Sequence, residues 1–508
     1  MILKEDYWSK HERTAVSGAA NFRKIRGLPI YSVAQPTLKG IANVINSVTS
    51  IHGLAPRSIV WINLREEPLI YINKKPYVLR DRFVTLRNSQ TYSGITPQRL
   101  ENLESKLKQD VCAELDIFNG KILLHSENLM SDNDSIIASW EYCEKRSVLS
   151  LYDAMTLSVF LEDKKVEMNY HRVPVTSESI PMAVDLDHMV QLISAIDFSD
   201  TAVVLNCQIG IGRSNFGTVI AALIVRWLTR GEKFVLSKTP TTPPRSYQVI
   251  LSLLRVIRNA IDCKNIVDEA VDACDGFNMR DNINDIYVQF LSENDKEKKS
   301  VLERRGIIAL TRYFTLIMFQ SYLDQNPPGV SRELVAFGTW SNMHPEFDTI
   351  REEFKVISPH PLNPITGKHI EEGFEVEAFI QNRQGAVFGQ GTILKYDVFP
   401  GAQVFSLIER VEGLHNLRRV DLNSIRNIEI VSASVIGVGM PSKSGIKRLL
   451  NGLNETCDRK HFWTSLREEP VIYVKGRPHV LRLWSNPFKN LEATGISRER
   501  VLETLILG

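Results

Sequence analysis

The block WINLREEPLIYINKKPYVLR at 61–80 returns as WTSLREEPVIYVKGRPHVLR at 463–482, an offset of 402 residues. The match extends to both sides. TYSGITPQRL (91–100) answers EATGISRERV (492–501), and VAQPTLKGI (33–41) answers VGMPSKSGI (438–446). NFRKI (21–25) answers NLRRV (416–420), and ILKEDYW (2–8) answers ILKYDVF (393–399). The offset drifts between 391 and 405, as insertions and deletions in loops produce. A period near 400 residues is far too long for a solenoid, so the repeat implies tandem globular domains. The expected division is a first domain at 1–325, a linker and helical connector at 326–372, and the N-terminal part of a second, incomplete copy at 373–508. On that reading the chain is a fragment, an isoform or an incomplete gene model. The second stub, lacking most of its sheet, would be unstable alone.

The 508 residues exceed one compact core and fit two to four domains. Sixty-one basic and 59 acidic side chains leave a net charge of +2, which gives no electrostatic reason to propose nucleic acid as a partner. The six cysteines (112, 143, 207, 263, 274 and 457) form no C-x2-C pair. Neither they nor the eleven histidines suggest a metal site, and no cofactor is expected. Scattered thiols suit a reducing compartment, hence the cytosol. The apolar stretches 216–228 and 306–323 are broken by Arg226 and Arg312, so no transmembrane segment is expected.

Strand patterns at 58–64, 68–72, 121–127, 166–175 and 202–206 alternate with helical patterns at 96–115, 147–163, 181–196 and 215–231. Thr96 and Pro97 form a helix start. Residues 245–323 read as almost wholly helical. The alternation predicts an α/β fold, a mostly parallel central sheet flanked by helices.

Between the apolar runs lies LNCQIGIGRSNFGTVIAAL (205–223). Cys207 stands at the carboxyl end of a strand, where open α/β sheets place their ligand sites. Gly210 and Gly212 let the loop Gln208, Ile209, Gly210, Ile211, Gly212 curl so that its amides converge on an anion, and the next helix adds its dipole. Such a field lowers a thiol pKa from about 8.5 toward a thiolate at neutral pH. Arg213 can bracket two phosphate oxygens, and Ser214 is placed to hydrogen-bond the sulfur as it leaves. The expected chemistry is thiolate attack on phosphorus followed by hydrolysis of a cysteinyl-phosphate. The competing reading is a cysteine that packs as a small hydrophobe beside a tight turn.

The C-Q-I-G-I-G-R-S loop resembles the signature loop of cysteine-dependent phosphatases. Together with both LREEP blocks, YHRVPV (170–175) and NRQGAVFGQGTILKYDVFPG (382–401), it resembles the paladin family, which is similar to the tyrosine-phosphatase-like inositol phosphatases. The resemblance covers nearly the whole chain. It implies tandem cysteine-dependent phosphatase-like domains in the cytosol, acting on a phosphoinositide, an inositol phosphate or a phosphotyrosine. It equally implies the alternative, a catalytically weak pseudophosphatase that binds phosphorylated ligands and regulates signalling. Partners would be a phosphorylated small molecule, a lipid headgroup with peripheral membrane contact, or a phosphopeptide. In the phosphatase fold an acid loop precedes the cysteine by about 30 residues, and general acids contribute about 10²–10⁴-fold. Here that stretch, YHRVPVTSESIP (170–181), holds no aspartate. Glu178 is its one carboxylate and the candidate acid, and His171 is the other titratable donor; Asp185 and Asp187 follow at the spacing of a solvated helix face.

Five uncharged residues separate Cys207 from Arg213, which argues against a strongly polyanionic ligand unless Arg172, Lys238 or Arg245 line the rim. The recurring Arg65-Glu66-Glu67 and Arg467-Glu468-Glu469 read first as a structural charge network at strand ends, with a pocket-edge role for Arg65 as the other reading. SKTPTTPPR (237–245) reads as a connector, or as a recognition rim, and the other five cysteines as inert.

Overall fold

A computed structural model describes residues 1–6, 16–51, 58–82, 94–127, 136–160, 166–176, 181–229, 247–274, 278–328, 334–352, 354, 360–364, 380, 383, 385, 387–397, 411–420, 435–456, 461–467 and 469–490. The chain divides into two compact units: 1–253 with 257–344 and 351–364, and 254–256 with 345–350 and 365–508.

The first unit runs β1 (Ile2–Glu5), β2 (Arg23–Lys24), β3 (Ile30–Val33), α1 (Leu38–Ile51), β4 (Ser58–Arg65), β5 (Leu69–Ile72), β6 (Lys75–Arg80), α2 (Pro97–Ile117), β7 (Lys121–Glu127) and β8 (Ile136–Tyr142). It continues with β9 (Val148–Ser150), α3 (Leu151–Phe160), β10 (Glu167–Val175), α4 (Ala183–Ser194), β11 (Thr201–Asn206) and α5 (Gly212–Leu228). A helical run follows: α6 (Gln248–Val256), α7 (Ala260–Ala273), α8 (Met279–Ser292), α9 (Lys296–Gln325) and α10 (Phe337–Asn342).

A five-stranded sheet, β10-β4-β11-β3-β2, is parallel except for its β3–β2 edge, as the alternating pattern predicts. Its central strands β4 and β11 carry almost unbroken apolar runs because helices cover both faces. On one face α1 lays Ile41, Val44, Ile45 and Val48, spaced for a single helical stripe, against Tyr31, Ile59, Trp61 and Val204. On the other, α5 is buried from Arg213 to Val225. Each fully buried large apolar side chain contributes about 1.5–3 kcal/mol.

The mostly parallel sheet is only half of the β-structure. A second sheet, β8-β7-β1-β6-β5-β9, is antiparallel at every pairing but β1–β7. It packs on α2 through Leu107, Val111 and Leu115, and α2 begins as predicted with Thr96 Oγ accepting from the Arg99 amide. The sheet depends on a hairpin in which Asn73 and Lys74 both take positive φ, 47° and 71°. That two-residue turn suits antiparallel strands, but it is written Asn-Lys rather than the more legible Asn-Gly. Helix α3 starts at Leu151 rather than 147 because Val148–Ser150 pair with β5 as β9.

The second unit repeats this arrangement in its own described residues. Strands β12 (Thr392–Tyr396), β15 (Val471–Val474) and β16 (Arg477–Leu483) form the sheet β12-β16-β15, and β13 (Arg418–Val420) pairs with β14 (Val435–Gly437). Registers coincide: Ile2 faces Arg80 as Ile393 faces Arg482, and Leu69 faces Val78 as Val471 faces Val480. Asn21 and Asn416 share a left-handed backbone at φ 56° and 54°. The fold is α/β, and the repeat is present in the structure as well as in the sequence. No helix among the described residues is long and apolar enough to cross a membrane.

Candidate anion-binding site

Strand β11 ends at Asn206, and the loop 207–211 leads into α5 at Gly212, three residues earlier than the sequence pattern suggested. Arg213 and Ser214 therefore ride on the first helical turn. A buried amide network holds the loop. Asn206 Oδ1 accepts from Trp61 Nε1 at 2.9 Å, and its Nδ2 donates to Gln35 Oε1 at 3.0 Å. The Gln35 backbone amide then donates to the Gln208 carbonyl at 3.0 Å. From β2's approach, Asn21 Nδ2 donates to the Ile209 carbonyl at 2.8 Å, and Arg23 donates to the Asn215 side chain. Gln208 Nε2 reaches Asp6 Oδ1 at 2.9 Å. At Gly210, φ is +78° and a Cβ would lie 2.4 Å from the Ala34 amide nitrogen and 2.6 Å from the Val33 carbonyl carbon. Only glycine fits there, for both backbone and space.

Cys207 is 3% exposed. Burial by itself pushes its thiol pKa up, but the Arg213 guanidinium and hydrogen bonds from the Ser214 hydroxyl, the Ser214 amide and the Gly210 amide outweigh it and hold the pKa below the ordinary value. Donors so placed favour the thiolate over the thiol. Two buried cysteines differ: burial raises the thiols of Cys143 and Cys263, the latter further through Asp324.

Arg213 is locked in a fork. Its Nη2 donates to Glu67 Oε1 at 2.9 Å, and its Nη1 to Glu67 Oε2 and to the Val175 carbonyl, each at 3.2 Å. Burial opposes the guanidinium's charge, while Glu67 and Cys207 favour it and the balance raises its pKa. Glu67 Oε2 also accepts from Arg65 Nε at 3.2 Å, and Arg65 pairs with Asp6. The network reading of the LREEP block is the one the structure displays, and within it Glu67 orients the arginine of the loop. The signal was present in the sequence, since an always-charged arginine entering a core requires a buried carboxylate.

Arg172 does not line a rim. It is buried, pairs with Glu104 at 3.0 Å, and donates to the Arg65 and Glu67 carbonyls at 2.8 Å each, so it braces the backbone that presents Glu67. Burial, then the neighbouring His188, keep the half-buried His171 below its usual pKa. Neither acidic residue of α4 is a free solvated face. Asp187 caps α10 through the Phe337 amide, and Asp185 accepts from the Met182 amide while burial lifts its carboxyl to about 6. From α9, Arg312 donates to the Thr176 carbonyl at 3.1 Å, one residue beyond Arg213's carbonyl partner. Glu178, Lys238, Arg245, Cys457 and Glu468 lie outside the described residues. A cavity of about 490 Å³ lies by α2 and the start of α3, lined by Glu104, Lys108, Cys112, Tyr152 and Asp153 and by no residue of the loop. Among the described residues no cluster of histidine, cysteine and carboxylates is arranged to hold a metal.

A family model for the PTP-like phytases, described as inositol hexakisphosphate, matches residues 62–225 and again 464–505. Human paladin is 25% identical over 500 residues, covering 92% of this chain and 52% of the relative. Chicken paladin is 28% identical over 327 residues, covering 60% and 34%. The chain thus spans about half the length, or less, of these curated relatives. Among solved structures, the tandemly repeated protein tyrosine phosphatase-like phytase of Mitsuokella multacida aligns at 13% identity and TM-score 0.43, covering 99% of this chain and 69% of that one. The PTP-like phytase of Bdellovibrio bacteriovorus aligns at 14% and 0.38, covering 67% and 95%.

Proposed function

For a chain matched at family level to the paladin and tyrosine-phosphatase-like inositol-phosphatase proteins, we propose that the loop 207–213 binds a phosphomonoester, as a pseudophosphatase that reads phosphorylated ligands with little turnover. One observation carries this reading: the Arg213 fork is held in a fixed geometry by Glu67, beside a Cys207 sulfur that takes the Gly210 and Ser214 amides. A phosphate there would meet the amides of 208–213 and the free edge of the Arg213 plane. The ligand class is a phosphorylated small molecule, a lipid headgroup or a phosphopeptide. Absence of an aspartate from 170–181 favours binding over catalysis.

A second reading, cysteine-dependent hydrolysis, is favoured by the depressed Cys207 pKa. In it the thiolate attacks phosphorus, an S–P bond forms and the ester P–O bond breaks. Glu178 protonates the departing oxygen, and Ser214 donates to the sulfur when water releases inorganic phosphate. The full chain, incubated with phosphoinositides, inositol phosphates and phosphotyrosine peptides, tests both readings. Binding abolished by Arg213→Ala, without phosphate release, supports the reader. Release that disappears in Cys207→Ser establishes the enzyme. Neither binding nor release from any member of the panel refutes both.

A further inference from the structure

In the sequence Arg312 is the charge that breaks the apolar stretch 306–323; in the fold it stands against the start of α5, next to the anion loop. It belongs to the 30-residue α9, within a run of side chains buried from Ala309 to Leu323. Arg312 is 9% exposed, and its Nη2 donates to the Thr176 carbonyl at 3.1 Å. Arg213 donates to the carbonyl of Val175, the residue before. Two guanidiniums, one at the end of the loop and one from α9, hold successive carbonyls where the chain leaves β10.

Gly212 fixes where the second guanidinium lies relative to the loop. A Cβ built on Gly212 would lie 3.6 Å from Arg312 Nη1. Its own chain neighbours and helix aside, no other atom of the described residues comes within 4 Å of that point. Gly212 has no positive φ, so its backbone does not require glycine, and glycine in a helix is a weaker choice than alanine. What the missing side chain leaves is room, an open space walled by a guanidinium one residue before Arg213. The Gly212 amide opens α5, where orphaned N–H groups and the helix dipole favour an anion and oppose a cation. A phosphate held by those amides turns the repulsion at Arg312 into attraction. A planar guanidinium suits the place, because one nitrogen can keep the Thr176 carbonyl while another takes a phosphate oxygen.

We propose that Arg312 is a second phosphate-binding arginine of the site: its Nη1 donates to a phosphate oxygen on the Gly212 side of the loop, while Nη2 keeps its bond to Thr176. The proposal deepens the phosphate-binding reading above and rests on it. The five residues between Cys207 and Arg213 carry no charge, and Arg312 supplies from another element the cation they lack.

The test measures binding of inorganic phosphate to the full chain by calorimetry, and the melting temperature of each variant without phosphate. Arg312→Gln keeps a donor for the Thr176 carbonyl and removes the charge, whereas Arg312→Lys keeps the charge. Losing one hydrogen bond to a charged group corresponds to about a 10–100-fold change in affinity. Gln is expected to bind phosphate weaker by about that factor, and Lys to recover most of the affinity. An arginine that only braces Thr176 would lower the melting temperature and leave the phosphate affinity of the folded variant unchanged, and that result overturns the proposal. So does a Lys variant that binds as weakly as Gln. If Gln does not fold, Arg312→Met is compared with Lys by the same criteria. Binding that is lost in Arg213→Ala but unchanged in Arg312→Gln overturns this proposal and leaves the phosphate-binding reading standing. A wild-type chain that binds no phosphate overturns that reading, and this proposal with it.

Discussion

Replacing Glu67 with glutamine removes one charge from the most heavily used carboxylate of the site. Its two oxygens accept three guanidinium contacts, two from Arg213 at 2.9 and 3.2 Å and one from Arg65 at 3.2 Å, with its side chain almost wholly buried. Glutamine keeps one acceptor oxygen and turns an NH2 group toward donors. At least one bond is lost and another becomes a donor–donor clash. Hydrogen bonds to charged groups contribute about 1.5–3 kcal/mol each, and breaking a buried pair costs about 3–5 kcal/mol. A loss of about 3–5 kcal/mol follows, a large part of the 5–15 kcal/mol typical of a domain. Arg213 should also leave its plane, so phosphate affinity falls with stability. Urea unfolding followed by circular dichroism reads the first effect and phosphate calorimetry the second. A Glu67→Gln protein with an unchanged unfolding midpoint and unchanged phosphate affinity would refute the claim that this carboxylate fixes the arginine.

Further outcomes follow from the same geometry. Gly210→Ala places a Cβ against the Val33–Ala34 backbone at a positive φ, and phosphate binding should be lost while most of the circular dichroism signal remains. Because the folded Cys207 pKa lies below its unfolded value, the thiolate's contribution to stability is present above the unfolded pKa and fades as pH falls through the folded one. Iodoacetamide should accordingly label Cys207 at pH values where Cys143 and Cys263 stay unlabelled, and phosphate should protect it; equal labelling of all three would contradict the assignment. Arg172→Met leaves Glu104 buried without its cation and releases the carbonyls of Arg65 and Glu67, a predicted loss of about 3–5 kcal/mol in chemical denaturation. Asp185, whose pKa is raised to about 6, favours folding most below its unfolded pKa and loses that advantage as pH rises through 6. Asp185→Asn should flatten the melting-temperature profile between pH 4 and 6, and an unchanged slope would remove Asp185 as its source.

The repeat, the α/β alternation, the helix start at Thr96 and the loop from Cys207 to Ser214 are legible in residue order alone. Each depends on local information: residue order, apolar period, a cap, or glycines set between a strand and a helix. The block around LREEP recurs at one offset, and the structure gives the two copies matching registers there. Tertiary structure decided what those residues touch. The antiparallel second sheet depends on an Asn-Lys turn whose positive φ values no common turn signal announces. Arg172 looked available for a rim until β10 placed it beside Glu104, and Asp187 looked solvated until α10 arrived 150 residues later. Glu67 and Arg213 are 146 residues apart, and a guanidinium's choice of carboxylate is settled only when burial removes water as the alternative partner.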